Sequence, residues 1–332
     1  MMKSACKSAP LHIALALLAL LHAVPARAQN AKSWVANFGS DANSCTLAQP
    51  CATLQHAHDQ TNQGGEIGIL TPGDYGGSGT PRLQIGKSIH ITNDGVGEAT
   101  ILAGGVASGI FIIAGAGDVV SLRGLMIDGQ FTSLLGIALD SASALHIQHC
   151  VIRNFQGNMA GIGLAVDSVA NVQVFVSDTI IFNNGTGANT GGISLGSSFA
   201  KSVNAVLDRV HVENNVDGLV VVGFISTGIG THVIVRDSVI SGNAANGIHM
   251  VTQAGKSPVL ALVERSSLVE NAAAGILADG PHAIVLLKES TITRNGTGVS
   301  TVNSGQLVSY GTNTNNNNLG PEGTATGFLP AF

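Results

Sequence analysis

A glycine followed by an aliphatic residue and a short apolar run recurs at Gly109-Ile110, Gly136-Ile137, Gly161-Ile162, Gly192-Ile193, Gly218-Leu219, Gly247-Ile248, Gly275-Ile276 and Gly298-Val299. The intervals are 27, 25, 31, 26, 29, 28 and 23 residues, with a mean of 27. A period of this size marks a solenoid, in which each repeat buries its apolar face only against its neighbours. Two further strand-like runs lie within each period, as in Val233-Ile234-Val235 and Val239-Ile240. Asparagine forms a second column: Asn184, Asn215, Asn243, Asn271 and Asn295. Three short strands and one Asn-bearing bend per repeat describe one coil of a right-handed parallel β-helix, an all-β solenoid.

Each column has a physical reading. Glycine turns a corner without a Cβ clash. Asparagine suits the left-handed bend, and stacked amides hydrogen-bond between coils. Ile127, Ile152, Ile181, Val212, Ile240, Leu268 and Ile292 form an aliphatic column that must point inward. At about 4.8 Å per coil the rod is roughly 45–50 Å long.

Two adjacent columns carry charge. One runs His149, Asp178, Arg209, Asp237, Arg265, Glu289, and the one before it Gln148, Ser177, Asp208, Arg236, Glu264, Lys288. From Asp208 onward both alternate in sign and are out of phase, so every charge stacks on its opposite. A ligand-binding charged strip is one reading. An ion-pair ladder that fixes the register of the coils accounts better for the built-in partners.

Composition agrees with a solenoid. Only 11% of residues are charged and 4% aromatic, against 45% hydrophobic and 43 glycines. A disordered chain shows the reverse, and a helical one has less glycine and more Lys and Glu. The net charge of −5 without a basic tract excludes nucleic acid and anionic lipid as expected partners.

Lys3 and Lys7, the apolar stretch 11–21 and Ala26-Arg27-Ala28 read as a cleavable signal peptide over 1–28, with Gln29 opening the mature chain. Export to the periplasm or the extracellular space follows as an expectation, with no transmembrane segment in the mature chain. Residues 29–60 then hold a cysteine loop and a cap helix at Thr53–Gln60, 61–323 the β-helix with a polar finish at 315–318, and 324–332 a tail. In an exported chain Cys45 and Cys51 are expected to form a disulfide; a metal site is the alternative. Cys150 falls in a strand pattern and reads as a buried small hydrophobe.

Over about residues 60–320 the sequence resembles the pectin-lyase-like superfamily of right-handed parallel β-helices. The stretch from Asp41-Ala42-Asn43-Ser44-Cys45 through Pro50-Cys51-Ala52-Thr53-Leu54 to Pro72-Gly73-Asp74-Tyr75 looks like the opening region of exported bacterial members. The resemblance implies polysaccharide lyases, glycoside hydrolases, epimerases, adhesins or proteins without known activity as relatives. Asn215-Val216-Asp217-Gly218 approximates the Asn-Thr-Asp-Gly of polygalacturonase-like hydrolases, but the partner acids, the His and the Arg-x-Lys are missing. Hydrolysis needs two carboxyl groups, so Asp217 reads as a turn residue. Asp140 and Asp279 fall at equivalent corners five coils apart, and Asp167 stands alone. Calcium is the one cofactor considered, and the linear sequence offers no acidic cluster for it.

Other groups read as structural. His56 and His58 lie two apart on a helix and point away from each other. His146, His211, His232, His249 and His282 are scattered, and Phe155, Phe175, Phe182 and Phe224 read as core stacks. The function expected is a non-catalytic surface, envelope or polysaccharide-binding module, with a polysaccharide or cell-surface component as partner. The alternatives are a lyase or epimerase on an acidic glycan, for which Asp217, Asp140 and Asp167 are the carboxylates to test, and a protein-contacting passenger module.

Overall fold

The computed structural model describes residues 29–157 and 161–330. The signal peptide expected over 1–28 lies outside the described residues. Among those described, no helix is long and apolar enough to cross a membrane.

The chain is a right-handed parallel β-helix of three sheets. One coil illustrates all of them: Gly191–Ser197 lies in sheet C, Ser202–Asp208 in sheet A and His211–Glu213 in sheet B, before Asp217–Val222 returns to sheet C. Sheet A has twelve described strands, sheet B ten and sheet C nine. All neighbours pair in parallel, and the strands are short because three of them must close a coil of about 27 residues. Ile127, Ile152, Ile181, Val212, Ile240, Leu268 and Ile292 are in register up sheet B and buried. Sheets A and C contribute matching inward rows, such as Ile147, Val176, Leu207, Val235 and Val263.

The glycine column differs from the sequence reading at one coil. Leu164, not Ile162, pairs with both Ile137 and Ile193, so Gly163 replaces Gly161 in the stack. The sequence holds two Gly-aliphatic pairs two residues apart, and period-2 strands make either choice look equally apolar.

The corner between sheets B and C explains the column. Asn184 Nδ2 donates to Asn215 Oδ1 at 3.0 Å, Asn215 to Asn243 at 3.2 Å, Asn243 to Asn271 and Asn271 to Asn295 at 2.8 Å, and Asn295 to Asn318 at 3.1 Å. Each Oδ1 also accepts the backbone N–H of the preceding rung, beginning with Phe155 at 3.0 Å. The amides from Asn184 to Asn295 are buried, and the glycines make room for them. A Cβ on Gly218 would sit 2.5 Å from the Gly247 oxygen, 2.6 Å from Ile240 Cγ2 and 3.0 Å from Asn243 Nδ2. The left-handed bend itself belongs to the residue before each asparagine: Asn183, Asn214, Gly242, Glu270, Arg294 and Asn317 have positive φ. That corrects the assignment of the bend to the ladder asparagines, whose amides are committed to stacking.

A second buried ladder runs along the corner from sheet A to sheet B. Ser238 Oγ accepts the Val210 N–H at 3.0 Å, Ser266 the Ser238 N–H and Ser290 the Ser266 N–H at 3.2 Å, and Asn313 Oδ1 the Ser290 N–H at 2.9 Å. Both rows satisfy corner amides that no strand can reach, as buried backbone requires.

Both ends receive edge strands from outside the regular coils. Asn30–Val35 pairs with Thr61–Ile69 as the first strand of sheet A, with Trp34 lying where a Cβ on Gly68 would be. Gly327–Phe328 pairs beyond Gln306–Ser309 as the last. Helix α1, Leu54–Gln60, buries Leu54 and Ala57 at the first coil. The last ladder amide, on Asn318, is met by the Glu322 carboxylate.

Asn243→Ala removes the acceptor of two donors and the donor to Asn271 in the middle of the stack. It is expected to cost about 2–4 kcal/mol, measured by denaturant unfolding, while exposed Asn62→Ala costs less than about 0.5 kcal/mol. Gly218→Ala should cost about 1–3 kcal/mol, because a backbone oxygen blocks the new methyl.

Candidate functional site

Asp217, Asp140 and Asp167 are not brought to one place. Asp217 opens its sheet C strand and is buried, with its Oδ1 accepting the Asn246 N–H and side-chain amide, each at 3.0 Å. Asp140 and Asp167 end their strands at the opposite edge of sheet C. Leu139 pairs with Val166, so these two aspartates close adjacent coils, a proximity the linear reading missed. Asp167 accepts from Ser198 Oγ. Asp279 shares the Asp167 row through Gly196, Val222 and Val251. His249 stands on the outer face of sheet C between the coils of Asp217 and Asp279; burial holds its pKa below the usual range against the pull of both carboxylates.

The charge columns pair within the chain. Arg209 grips Asp178 through two hydrogen bonds, at 2.7 and 2.9 Å, and Arg265 grips Asp237 the same way at 2.9 and 3.0 Å. Asp208 lies between Arg209 at 2.6 Å and Arg236 at 3.1 Å, Glu264 is 3.4 Å from Arg265, and Lys288 is 3.8 Å from Glu289. The residues His149, Asp178, Arg209, Asp237, Arg265 and Glu289 all have φ near +50°. Side chains other than Gly and Asn rarely adopt that bend, and forked Arg–carboxylate pairs are the stabilising contacts made there.

A cleft lies elsewhere, between α1 and residues 77–86. Thr53 caps the helix by accepting the His56 N–H at 3.2 Å, and Asp41 fixes Thr53 by accepting its N–H at 2.9 Å and its hydroxyl at 2.8 Å. The Cys45–Cys51 disulfide holds the preceding loop against the first strand, where Trp34 N–H reaches Cys45 O at 2.8 Å. His56 comes near both sulfurs, but their covalent bond leaves no thiolate for the alternative metal site. The resulting cleft holds about 640 Å³ and is lined by Gln55, His58, Asp59, Ser78, Arg82 and Gln84, among others.

Hydrogen bonds order its wall. Gln84 N–H donates to Gln55 Oε1 at 2.7 Å, and Gln55 Nε2 donates to Asp59 Oδ1 at 3.1 Å. Gly86 N–H donates to His58 Nε2 at 3.4 Å. The His58 proton therefore sits on Nδ1, which faces Asp59 Oδ1 at 3.0 Å. Burial pushes the His58 pKa down, more than Asp59 raises it. Arg82 donates to Gly77 O at 3.2 Å and Gly104 O at 2.9 Å, while its Nε is buried without a partner. The sequence reading of His56 and His58 as a divergent pair missed this cleft, because Gln84 and Arg82 come from the next coil.

Among the four phenylalanines read as core stacks, only Phe155 is fully buried. Phe175 faces outward against the His146 ring at 4.8 Å, Phe182 carries the Arg153 guanidinium at 5.9 Å, and Phe224 is half-buried. Cys150 is a buried free thiol that burial raises to about 11, so it packs rather than reacts.

The chain matches no protein-family model and no curated protein. Two solved structures are similar to it. Pectate lyase Pel9A aligns with a TM-score of 0.58 at 15% identity, covering 84% of this chain and 74% of that one. The alginate lyase from Paenibacillus sp. str. FPU-7 aligns with a TM-score of 0.52 at 17% identity, covering 84% of this chain and 96% of that one. At these identities the likeness establishes the pectin-lyase-like β-helix fold.

Burial lowers the pKa of His58, and likewise of His146 and His249. The unfolded chain therefore binds protons the folded one refuses, and stability that is full above the ordinary histidine value is lost as pH falls below it. Unfolding between pH 7.5 and 5.5 should show this slope, and His58→Gln should reduce it by at most one proton; an unchanged slope would show His58 charged in the fold. In double-mutant cycles, Asp178–Arg209 should couple more strongly than Glu289–Lys288, and salt should weaken both.

Proposed function

We propose that this protein is an exported, non-catalytic polysaccharide-binding β-helix, and that the cleft beside α1 holds the glycan. A concavity of about 640 Å³ falls in the usual range of ligand sites. The Gln84 amide, the Ser78 hydroxyl and the exposed Asp59 carboxylate supply the donors and acceptors that sugar hydroxyls pair with. Export is supported by the signal-like residues 1–28 and by the disulfide. A glycan partner is supported by the similar solved structures, which are lyases of pectate and of alginate.

The observation that carries the non-catalytic reading is the engagement of the cleft's two carboxylates and of His58. Asp41 is bound by two N–H groups and a hydroxyl, Asp59 by Gln55 and His58, and both His58 nitrogens are in use. Sugar hydrolysis needs one carboxyl free to give a proton and a second free to take one or attack.

The test is a panel of acidic and neutral polysaccharides, followed in parallel for binding, for ultraviolet-absorbing unsaturated products and for new reducing ends. Binding without product is the expected outcome, with equal affinity in calcium and in chelator. Gln84→Ala and Asp59→Asn should each weaken it about tenfold, the scale of one lost hydrogen bond, at nearly constant melting temperature. Unsaturated product would overturn the reading in favour of the lyase alternative, and new reducing ends without it in favour of hydrolysis.

A further inference from the structure

Strands of a sheet with one wet face alternate apolar and polar residues, whereas strands covered on both faces are apolar throughout. Sheet A changes from one kind to the other along the rod. Its outward middle row begins Glu66, His90, Ser121, His146 and continues Phe175, Val206, Ile234, Leu262, Leu286, Val308, in unbroken register. The strands Val259–Glu264 and Ala283–Lys288 read VLALVE and AIVLLK, apolar on both faces until the last residue. Polar or small residues interrupt the corresponding rows of the other sheets, with His211, Ser267 and Thr291 on sheet B and Ala138, Ser194 and Ser300 on sheet C. No described segment of this chain lies over the apolar half, and Ile234 is 37% exposed at its centre. Phe199 and Ile229, 75% and 64% exposed, flank it on the corners that feed these strands.

The charged edge of the same face identifies the occupant. Asp208, Arg236, Glu264 and Lys288 are consecutive rungs beside the apolar row, with signs −, +, −, +. Reversing an alternating column of even length gives its own complement. A twofold axis parallel to the strands, between those of Ile234 and Leu262, lays a second copy face to face with its rod reversed. Arg236 then meets Glu264 of the second copy and Asp208 meets its Lys288, each contact occurring twice. The same axis places Ile234 against Leu262, Val206 against Leu286 and Phe175 against Val308, because the six apolar rungs share that midpoint. An axis along the rod would reverse the strands instead and carry the two charged columns to opposite edges of the face, leaving them unpaired between copies.

From this symmetry we infer that the outer face of sheet A is a self-association surface, which pairs two antiparallel copies of the chain. Six rungs of about 4.8 Å and five residues of about 3.3 Å give a patch of roughly 500 Å² per copy. A total near 1,000 Å² lies at the lower limit for specific interfaces, so the dimer forms at micromolar concentrations and comes apart on dilution.

Sedimentation equilibrium of the purified protein, from about 1 to about 200 µM, should show a monomer–dimer equilibrium with a midpoint on the order of tens of micromolar. Arg236→Glu opposes Glu264 of the second copy twice and should weaken the dimer at least about 30-fold. Adding Glu264→Arg produces the order −, −, +, +, which remains complementary when reversed although it destroys the alternation within one chain. Recovery to within about threefold of the original affinity is therefore the expected result, and it separates pairing between copies from the ladder within a copy. Ile234→Lys, a surface change checked for an unaltered melting curve, should also abolish association. A monomer at every concentration overturns the inference, as does a dimer indifferent to these changes or a charge swap that fails to restore it.

Discussion

The buried amide stack at the corner between sheets B and C is the constraint on which the other regularities depend. A β-helix corner leaves one N–H per coil pointing into the core with no strand to pair with. An asparagine side chain in the next coil supplies the acceptor, and its own NH₂ must then be satisfied by the coil after that. At the same corner the next coil's amide, together with its backbone oxygen and an aliphatic methyl, occupies the space a Cβ would fill, so the residue opening the sheet C strand is glycine. The bend that aims the amide inward falls on the preceding residue, which must take positive φ. One orphaned donor thus determines three columns of sequence.

The serine ladder at the next corner does the same with a smaller side chain, and there the positive-φ position is charged from Asp178 to Glu289, whereas the asparagine corner has Asn or Gly except at Glu270 and Arg294. Charged side chains gain nothing from that bend locally. They gain it from stacking, since Asp178 and Arg209 or Asp237 and Arg265 lie one coil apart with the geometry of a forked ion pair. The electrostatic pattern is therefore coupled to the backbone conformation of the corner. Neither feature is legible from a single coil.

Columns were legible in the sequence because a solenoid writes the same three-dimensional environment at nearly constant spacing. The inward isoleucine column, the asparagine stack, the disulfide pairing and the helix after Thr53 all fall where spacing or local chemistry places them. Gly161 and Gly163 are indistinguishable in the sequence because alternation alone cannot tell registers two residues apart. The edge strand Asn30–Val35 was not legible because it has no repeat to belong to. The cleft was hidden for a related reason: Gln55 and Gln84 are 29 residues apart, and only the hydrogen bond between them reveals a shared wall. Periodicity reports what is repeated, and a cleft built once, at the end of a repeat, is the part it cannot report.

The two ladders also differ in how they count. The amide stack is identical at every rung, so any interior coil could be copied or lost without creating an unmatched donor. The charge columns repeat only every second rung. Losing one coil, such as that of Arg209, would bring Asp178 against Asp237. A rod of this kind can change length by a single coil as far as its core is concerned, but by pairs of coils as far as its surface is concerned. Its lineage would therefore be expected to lengthen or shorten in steps of two, with the parity of the coil number kept by electrostatics rather than by packing.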